Sequence, residues 1–290
     1  MIRCPGCSQP HGSQLDSCPH CGFSPRIIAD HPAWAPEEAF SSEGFEAGYF
    51  ADLARLEAGN FWFRARNALV AWALRRYFPD MGSFLEIGCG TGFVLAGVAE
   101  AFPEARLVGS EVYSAGLRFA AERVPGASFV QMDARRIPYE DEFDVIGAFD
   151  VIEHIAEDEA VLANMRGAVR RGGGVLITVP QHPSLWSASD EYARHVRRYT
   201  ARELHGKVAR AGLEILRSTS FVALPLPAMM LSRLAHRDIT RFDPIAELTV
   251  PAPVNAALEA ALRLEHGAIR AGLSLPFGGS RLVVARRSSA

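Results

Sequence analysis

The segment Phe84–Gly92, FLEIGCGTG, decides which fold we expect for this chain. Its apolar beginning is typical of a buried strand, and a helical pattern follows its end directly. Glycines at 88, 90 and 92 allow the backbone to turn tightly and to approach a ligand where side chains would clash. Open α/β sheets bind ligands at the carboxyl ends of their strands. The segment therefore predicts a strand, a turn and a helix, with a cofactor site over the turn.

Strands alternate with helices from this segment to the C-terminus. The predicted strands are 83–87, 107–111, 128–132, 143–149, 174–179, 213–220 and 281–286. The predicted helices are 92–102, 114–123, 157–170 and 200–211. Strands that alternate with helices of this length favour a mostly parallel sheet with helices on both faces. We therefore expect an α/β fold with a Rossmann-like, seven-stranded, mostly parallel sheet.

Apolar periodicity and prolines divide the chain into six segments. Pro25, Pro32 and Pro36 favour a linker over 26–44, and a helical period begins at Phe45. About sixty residues separate the last two strands, far more than a hairpin needs. We predict a helical insertion packed on the core; an acceptor-site wall, a dimer surface or a membrane-surface contact are alternatives. The predicted segments are 1–25 (zinc-ribbon-like), 26–44 (linker), 45–80 (lid or cap helices), 81–221 (Rossmann-like core), 222–280 (helical insertion) and 281–290 (final strand and tail).

Acidic residues accompany the first three predicted strands. Glu86 lies two residues before the first glycine of the turn, where it would repel a pyrophosphate but attract an amino-acid ammonium group. Glu111 ends the second strand and is placed to accept hydrogen bonds from both hydroxyls of a ribose. Asp133 follows the third strand and suits an adenine amino group. Each alone could be a surface, capping or turn residue, but together they favour S-adenosylmethionine (SAM).

The turn, Glu111, Gln131–Asp133 and Phe143–His154 resemble class I SAM-dependent methyltransferases, closest to the broad group that includes ubiquinone-biosynthesis-like enzymes. The resemblance runs from about residue 45 to the C-terminus and implies an antiparallel last strand. It also implies a lid helix over 60–67 that covers the cofactor, although its aromatic residues could equally be core anchors. The cofactor-binding residues so predicted are Glu86, Gly88, Cys89, Gly90, Gly92, Glu111, Asp133, Phe149, Asp150, Trp62 and Arg66, with no chemistry assigned to Cys89.

Candidate catalytic residues follow the fourth and fifth strands. Methyl transfer requires in-line alignment of the acceptor and, for a hydroxyl, removal of its proton. His154 follows the fourth strand, and Asp190 and His195 follow the fifth. The run Asp190–Tyr199 resembles a D-x-x-x-x-H-x-R-R-Y motif of methyltransferases in sugar and lipid pathways. A histidine base is one role for these residues; a polar network that holds the loop, or arginines that bind an anionic acceptor group, are alternatives.

Four cysteines near the N-terminus form two C-x-x-C pairs. Cys4 and Cys7, with Cys18 and Cys21, have the spacing of a closed tetrahedral zinc site whose metal would supply the folding energy of this short segment. His11 could replace one ligand, as could His20. Disulfides or a redox pair are alternatives, but no secretory signal or βαβ context supports them. The segment resembles the zinc-ribbon knuckles of many bacterial enzymes, so we predict a small structural zinc knuckle.

Charge and hydropathy limit the partners of this chain. The net charge is −3 and no basic stripe is present, which disfavours nucleic acid. No apolar stretch reaches the roughly 18 residues of a membrane span, and no signal sequence is visible, so we expect a cytoplasmic protein. The expected acceptor is a small molecule or a sugar- or lipid-linked molecule, with peripheral membrane contact as an open alternative. The oligomeric state is not predicted.

Three other functions are weighed against this one. An rRNA or tRNA base methyltransferase would suit the zinc module, which loosely resembles that of certain ribosomal-RNA guanine methyltransferases, but no N/D-P-P-Y-like motif is present. A non-catalytic SAM-binding or zinc-ribbon interaction protein would use the same cofactor and metal residues. An NAD-dependent dehydrogenase would need G-x-G-x-x-G, and Phe93 occupies the place of the last glycine.

Overall fold

The structure is a computed structural model that describes residues 1–12, 17–40, 48–235 and 243–289, without the side chains of 232–235. Its strands, in chain order, are β1 (Ile2–Arg3), β2 (Pro10–His11), β3 (Arg26–Ile28), β4 (His31–Ala33), β5 (Ser83–Ile87), β6 (Arg106–Glu111), β7 (Ser128–Gln131), β8 (Phe143–Phe149), β9 (Val169–Pro180), β10 (Leu213–Phe221) and β11 (Ser280–Arg287). Its helices are α1 (Tyr49–Leu56), α2 (Phe61–Tyr77), α3 (Phe93–Ala101), α4 (Ser114–Arg123), α5 (Asp158–Ala168), α6 (Ala188–Tyr192), α7 (Ala201–Arg210), α8 (Leu226–Ala235), α9 (Pro244–Leu248) and α10 (Ala252–Arg270).

One large sheet organises the molecule. Among the described residues it has nine strands, in the spatial order β10-β11-β9-β8-β5-β6-β7-β4-β3. Strands β5 to β9 run parallel, and β11 lies antiparallel between β9 and β10. The predicted Rossmann-like α/β fold is confirmed, and so is the antiparallel last strand. Two further strands, β4 and β3, extend the sheet beyond β7.

Apolar clusters cover both faces of this sheet. Successive side chains of a strand point to opposite faces, so Phe84 lies in one buried cluster while Leu85 and Ile87 lie in the other. The whole of β5 is buried. The turn after Ile87 lies at the carboxyl end of β5, where open α/β sheets bind ligands.

The segment predicted as a linker contains a hairpin that the sequence did not predict. Strand β3 pairs antiparallel with β4, and Ala33 of β4 pairs with Gln131 of β7. Three-residue strands carry no measurable periodicity, and Pro32 argues against a strand. The proline is tolerated because the pairing with β7 uses a single residue. The predicted beginning of the helical period at Phe45 lies outside the described residues, and α1 begins at Tyr49.

Gly172, Gly173 and Gly174, which lie at the boundary between the predicted helix 157–170 and the predicted strand 174–179, belong to the strand. Helix α5 ends at Ala168, and β9 begins with the next residue. Gly172 has a φ of +76°, and the register of β9 against β8 shifts at this point. A Cβ at Gly174 would lie 2.1 Å from the Phe78 ring. The glycines are therefore needed for an irregular, closely packed start of the strand rather than for a helix end.

The insertion between β10 and β11 is helical in its described parts and packs on the lid. Arg64 of α2 forms an ion pair with Glu259 of α10, and the Phe61 amide donates to Asn255 Oδ1 over 2.8 Å. Leu262 of α10 is fully buried. The acceptor-wall, dimer and membrane-surface roles stay predictions. Across the described ranges, no helix combines the length and the hydropathy needed to cross a bilayer.

Candidate functional site

The glycine-rich turn has the backbone geometry that its sequence predicts. Gly88, Gly90 and Gly92 have φ angles of +64°, +53° and +75°, in the left-handed region that favours glycine. A Cβ at Gly88 would lie 2.6 Å from the Val151 side chain, and one at Gly92 would lie 2.9 Å from the Cα of Ala120. The turn therefore depends on glycine for both conformation and space, and it begins α3 at the open edge of the sheet.

Glu86 is a buried carboxylate beside this turn. Its side chain lies in β5, and the residue is 2% exposed. Among the described residues, no donor lies within hydrogen-bond distance of its Oε2. Burial raises the pKa of Glu86 to about 8, although the positive charge of Arg66 opposes this. A buried, unpartnered acid is unfavourable without a ligand, and an ammonium group would supply the missing donor.

Glu111 is held by backbone amides at the end of β6. Its carboxylate accepts hydrogen bonds from the amides of Gly90, Val112 and Tyr113 over 3.0, 2.9 and 3.2 Å. Burial raises the pKa of this carboxyl group, and the three amides lower it in part. Cys89, between the glycines, donates its amide to the Ser110 carbonyl over 2.8 Å, and its buried thiol has no contact that suggests chemistry. The hydrogen bonds from these three backbone amides hold the Glu111 carboxylate at the glycine-rich turn.

Asp133 is buried but already has strong partners. Its carboxylate accepts from the amide of Arg135 over 2.8 Å and from Arg135 Nε over 3.0 Å. Burial raises the pKa of Asp133, but the bonds from Arg135 outweigh burial and lower it overall. The sequence analysis did not identify Arg135 as a partner. An adenine contact for Asp133 therefore stays a prediction, and it would have to share the carboxylate with this arginine.

Helix α2, which contains the predicted lid residues, contacts the end of β8. Arg66 forms an ion pair with Asp150 at the end of β8, and its guanidinium lies 4.5 Å from the centre of the Trp62 ring. Asp150 has a φ of +57° and also accepts from Thr178 Oγ1 over 3.2 Å. Phe149, in contrast, is a buried member of the apolar core. Of these two predicted cofactor-binding residues, Asp150 contacts α2 through Arg66, whereas Phe149 lies in the core.

A second connection between lid and turn was missed by the sequence analysis. Thr91, inside the glycine-rich turn, donates its hydroxyl to the buried Glu57 carboxylate, with oxygen distances of 2.6 and 2.7 Å. Arg123 of α4 donates to the same carboxylate over 2.7 Å and to the Thr91 carbonyl over 2.9 Å. These three residues are far apart in sequence. The one signal that could have suggested these contacts is an acidic residue, Glu57, near the end of a helix.

The predicted catalytic residues His154, Asp190 and His195 lie together. The His154 and His195 rings pack edge to face with centroids 4.7 Å apart. His195 Nδ1 lies 2.9 Å from Asp190 Oδ1, which leaves Nε2 turned toward Glu153 Oε1 at 4.0 Å. One atom each of Glu153, His154 and His195 lie within 4.8 Å of one another. The structure therefore brings together residues that follow two different strands.

Asp190 is the centre of a buried polar network. Its Oδ1 accepts from Arg198 Nε over 2.7 Å, while Oδ2 accepts from the Ser187 amide over 2.8 Å and caps α6. Burial raises the pKa of Asp190, but the bonds from His195 and Arg198 outweigh burial and lower it to about 2. The network therefore has the structural role that the sequence analysis considered. It also orients His195, so the two roles are compatible.

Glu153 and His154 have opposite exposure within this cluster. Glu153 is fully buried, and neither carboxylate oxygen has a hydrogen-bond partner in the described part of the chain. Burial, and then the charge of Asp150, raise its pKa well above the ordinary value. His154 is reached by solvent although protein surrounds its ring, and this desolvation, together with the nearby His195, lowers its pKa. Because its pKa is lowered to about 3, His154 stays neutral near pH 7 and is a weak proton acceptor.

The four N-terminal cysteines fit a tetrahedral metal. Cys4 Sγ lies 3.6 Å from Cys21 Sγ, and Cys7 Sγ lies 3.7 Å from Cys18 Sγ. All four sulfurs lie within 4.8 Å of one another. Sulfurs bound to zinc at about 2.3 Å in a tetrahedron are about 3.8 Å apart, so the spacing matches. None of the cysteines is in a disulfide.

Comparisons with known proteins agree with this geometry. A family model described as a methyltransferase domain matches residues 57–218. Phthiotriol/phenolphthiotriol dimycocerosates methyltransferase 1 of Mycobacterium ulcerans (strain Agy99) is 29% identical over 174 residues, which cover 57% of this chain and 64% of that protein. Trans-aconitate 2-methyltransferase of Azoarcus sp. (strain BH72) is 29% identical over 119 residues, which cover 41% of this chain and 46% of that protein. The chain thus matches less than two thirds of the length of either relative.

A solved structure shows the same fold. Phosphoethanolamine N-methyltransferase 2 of Haemonchus contortus, in complex with SAM, superposes with a TM-score of 0.51 at 18% identity. The superposition covers 76% of this chain and 52% of that chain. At this identity the likeness shows the fold alone.

Proposed function

We propose that this chain transfers the methyl group of SAM to an oxygen or nitrogen atom of a small-molecule, sugar-linked or lipid-linked acceptor. The proposal starts from the family to which the chain belongs, the methyltransferase-domain family of class I SAM-dependent methyltransferases. The relatives named above support this range of acceptors, since the name of one specifies a lipid and that of the other a small acid. Which acceptor this chain uses is a separate question that its own residues must answer.

One observation supports the cofactor site most strongly. Glu86 is buried without a partner at Oε2, directly before a turn whose three glycines all have positive φ angles. In this proposal the ammonium group of SAM donates to Glu86, and its ribose hydroxyls donate to Glu111. Asp133 is the candidate for the adenine, with Arg135 beside it. A pyrophosphate cofactor would instead place negative charge against two buried carboxylates, which is unfavourable.

The acceptor side supplies a base. The sulfonium of SAM activates the methyl group, so the protein must align the acceptor and remove a proton where the acceptor is a hydroxyl. His195 is suited to this because Asp190 accepts from its Nδ1, which leaves Nε2 free to accept a proton and stabilises the resulting imidazolium. His154 stands beside it, and desolvation together with the charge of His195 lowers the pKa of His154 to about 3, so His154 stays neutral while His195 takes the proton. Arg66 and Trp62 close the lid side and exclude water.

The cysteine cluster holds a structural zinc ion in this proposal. Four thiolates leave no open coordination position, so the metal supplies stability rather than chemistry. Its removal is expected to unfold the knuckle formed by Cys4, Cys7, Cys18 and Cys21, because so short a segment has little core of its own.

The proposal is tested first by calorimetry with SAM and S-adenosylhomocysteine, and then by transfer of a labelled methyl group from SAM into a metabolite extract. We expect binding to the folded protein, and a His195→Ala variant that binds SAM normally but transfers methyl at least about a hundredfold more slowly. His205→Ala is the matched control, because its ring bonds to Ser218 and not to the cluster. Folded protein that binds neither ligand would refute the proposal. Equal transfer rates in the two variants would refute the role of His195.

A further inference from the structure

The N-terminal segment does not end at the cysteine knuckle but continues along the SAM-binding edge of the sheet. We call residues 31–39 the brace. Strand β4 begins the brace and pairs with the last residue of β7, and the chain then continues beyond the strand to Ala39. Ala35 and Ala39 are 2% exposed, so the brace is packed against the core rather than lying loosely over it.

Gln131 is the side chain that fastens the brace. This residue is fully buried, with 0% exposed. Its Oε1 accepts from the Ala35 amide over 3.1 Å, and its Nε2 donates to the Ala35 carbonyl over 2.7 Å. The same Nε2 donates to the Val112 carbonyl over 2.9 Å. One amide group therefore binds the brace and the loop after β6 at the same time.

That loop positions the carboxylate of Glu111. The amides of Val112 and Tyr113 donate to Glu111 Oε1, so any shift of this loop moves the carboxylate. The next residue, Ser114, donates both its amide and its hydroxyl to the Ala39 carbonyl, each over 3.1 Å. The loop is thus held by the brace at two points, through Gln131 and through Ser114.

The brace is also tied to the cysteine knuckle and to Asp133. The Phe23 carbonyl accepts from the Cys18 amide over 2.7 Å, and the Phe23 ring stacks on Trp34 with centroids 6.2 Å apart. At the other end of the brace, Glu38 lies 3.7 Å from Arg135, the partner of Asp133. A continuous series of contacts therefore joins the segment that contains the four cysteines to Glu111 and Asp133, the two acids proposed to bind the adenosine part of SAM.

We propose that the brace is a positioning element for the adenosine end of SAM, with Gln131 as its key residue, and that the metal in the four-cysteine cluster holds the brace in place. This inference rests on the proposed function of Glu111 and Asp133. It gives the N-terminal segment a role in cofactor binding within the same chain, in place of a role in binding a nucleic acid or another protein.

The test measures binding of S-adenosylhomocysteine and of its 2′-deoxy analogue. The wild type should prefer the complete ligand by about tenfold or more, because a hydrogen bond to a charged group is worth about 1.5–3 kcal/mol, and tenfold is about 1.4 kcal/mol. Gln131→Leu should weaken binding of the complete ligand by about tenfold and should remove most of the preference. Stripping the metal with a chelator should have the same two effects.

Two further variants separate positioning from general stability. Arg210→Ala breaks an exposed ion pair with Glu159 that has no contact with the brace, and it should leave both affinities unchanged. If Gln131→Leu does not fold, Ser114→Ala removes one hydroxyl bond to the brace and should weaken binding by about threefold. A lower thermal midpoint with unchanged affinity and unchanged 2′-hydroxyl preference would overturn the inference. No binding by the wild type would instead overturn the proposed function, and the inference with it.

Discussion

Replacing Glu57 by glutamine should both destabilise the protein and weaken its cofactor site. Glu57 is 4% exposed and receives hydrogen bonds from Thr91, within the glycine-rich turn, and from Arg123. Glutamine keeps the shape and one acceptor oxygen but removes the charge. The guanidinium of Arg123 then loses its carboxylate partner while it stays partly buried. The substitution therefore weakens the contact between Glu57 and the glycine-rich turn, and it creates no cavity because glutamine has the same shape as glutamate.

The magnitude follows from the exposure of the two side chains. Exposed ion pairs contribute about 0.2–1 kcal/mol, whereas removing one partner of a fully buried pair costs about 3–5 kcal/mol. The Glu57 side chain is 6% exposed and that of Arg123 is 21% exposed, so this pair lies between the two limits. We expect a loss of about 2 kcal/mol in the free energy of unfolding. If the whole of this loss is transmitted to the cofactor site, the affinity for SAM falls by about thirtyfold.

Urea unfolding and calorimetry with S-adenosylhomocysteine measure the two effects. The matched control is Asp52→Asn on the same lid, whose ion pair with Arg55 is exposed, with side chains 33% and 64% accessible. This control should lose less than about 0.5 kcal/mol and should keep its affinity. If Glu57→Gln were as stable as the control and bound the ligand equally well, the lid would not be anchored through this carboxylate.

Three more outcomes follow from the site. Glu86→Gln should weaken SAM binding yet stabilise the ligand-free protein above neutral pH. Folding raises the pKa of Glu86 from 4.5 to about 8, so the wild type loses stability as the pH rises through this range, whereas the variant does not. Urea titrations at several pH values would show this difference. Asp190→Asn should cost about 3–5 kcal/mol at pH 7, because the carboxylate is fully buried against Arg198. That deficit should shrink as the pH falls from about 4 toward 2, since the pKa of Asp190 is lowered to about 2; an unchanged deficit would contradict the ion-pair explanation. Gly92→Ala should abolish SAM binding, because a Cβ would meet the Ala120 backbone at a φ of +75°, and normal calorimetric binding would show that the turn tolerates side chains.

Much of the fold follows from local sequence signals. The strand before the turn is predicted to the residue, since β5 spans Ser83–Ile87. Helix α7 begins where Thr200 and Glu203 indicate, with the Thr200 side chain accepting a hydrogen bond from the Glu203 amide over 3.2 Å. Such signals work because propensity, capping and turn chemistry depend on neighbours in sequence. The hairpin of β3 and β4 has none of these signals and depends on contact with β7.

The partners of buried polar groups could not be predicted in the same way. The sequence identifies Asp133 as an acid after a strand but not that Arg135 shares it. It identifies His195 and Asp190 five residues apart but not that Glu153, after another strand, lies 4.0 Å from the ring. The sequence places Phe149 at the end of a predicted strand, yet only packing places it in the core.

The sequence by itself determined the order of strands and helices, the glycine-rich turn, the family resemblance and the two cysteine pairs. Each of these features depends on residues that are close together along the chain. The tertiary structure alone decided which distant residues meet: Glu57 with Thr91 and Arg123, and Gln131 with the brace. The physical reason is that a buried polar group is costly without a partner, and which partner it meets is set by the packing of whole elements rather than by local sequence. The turn FLEIGCGTG predicts where a cofactor binds, and these long-range contacts fix the geometry in which it is held.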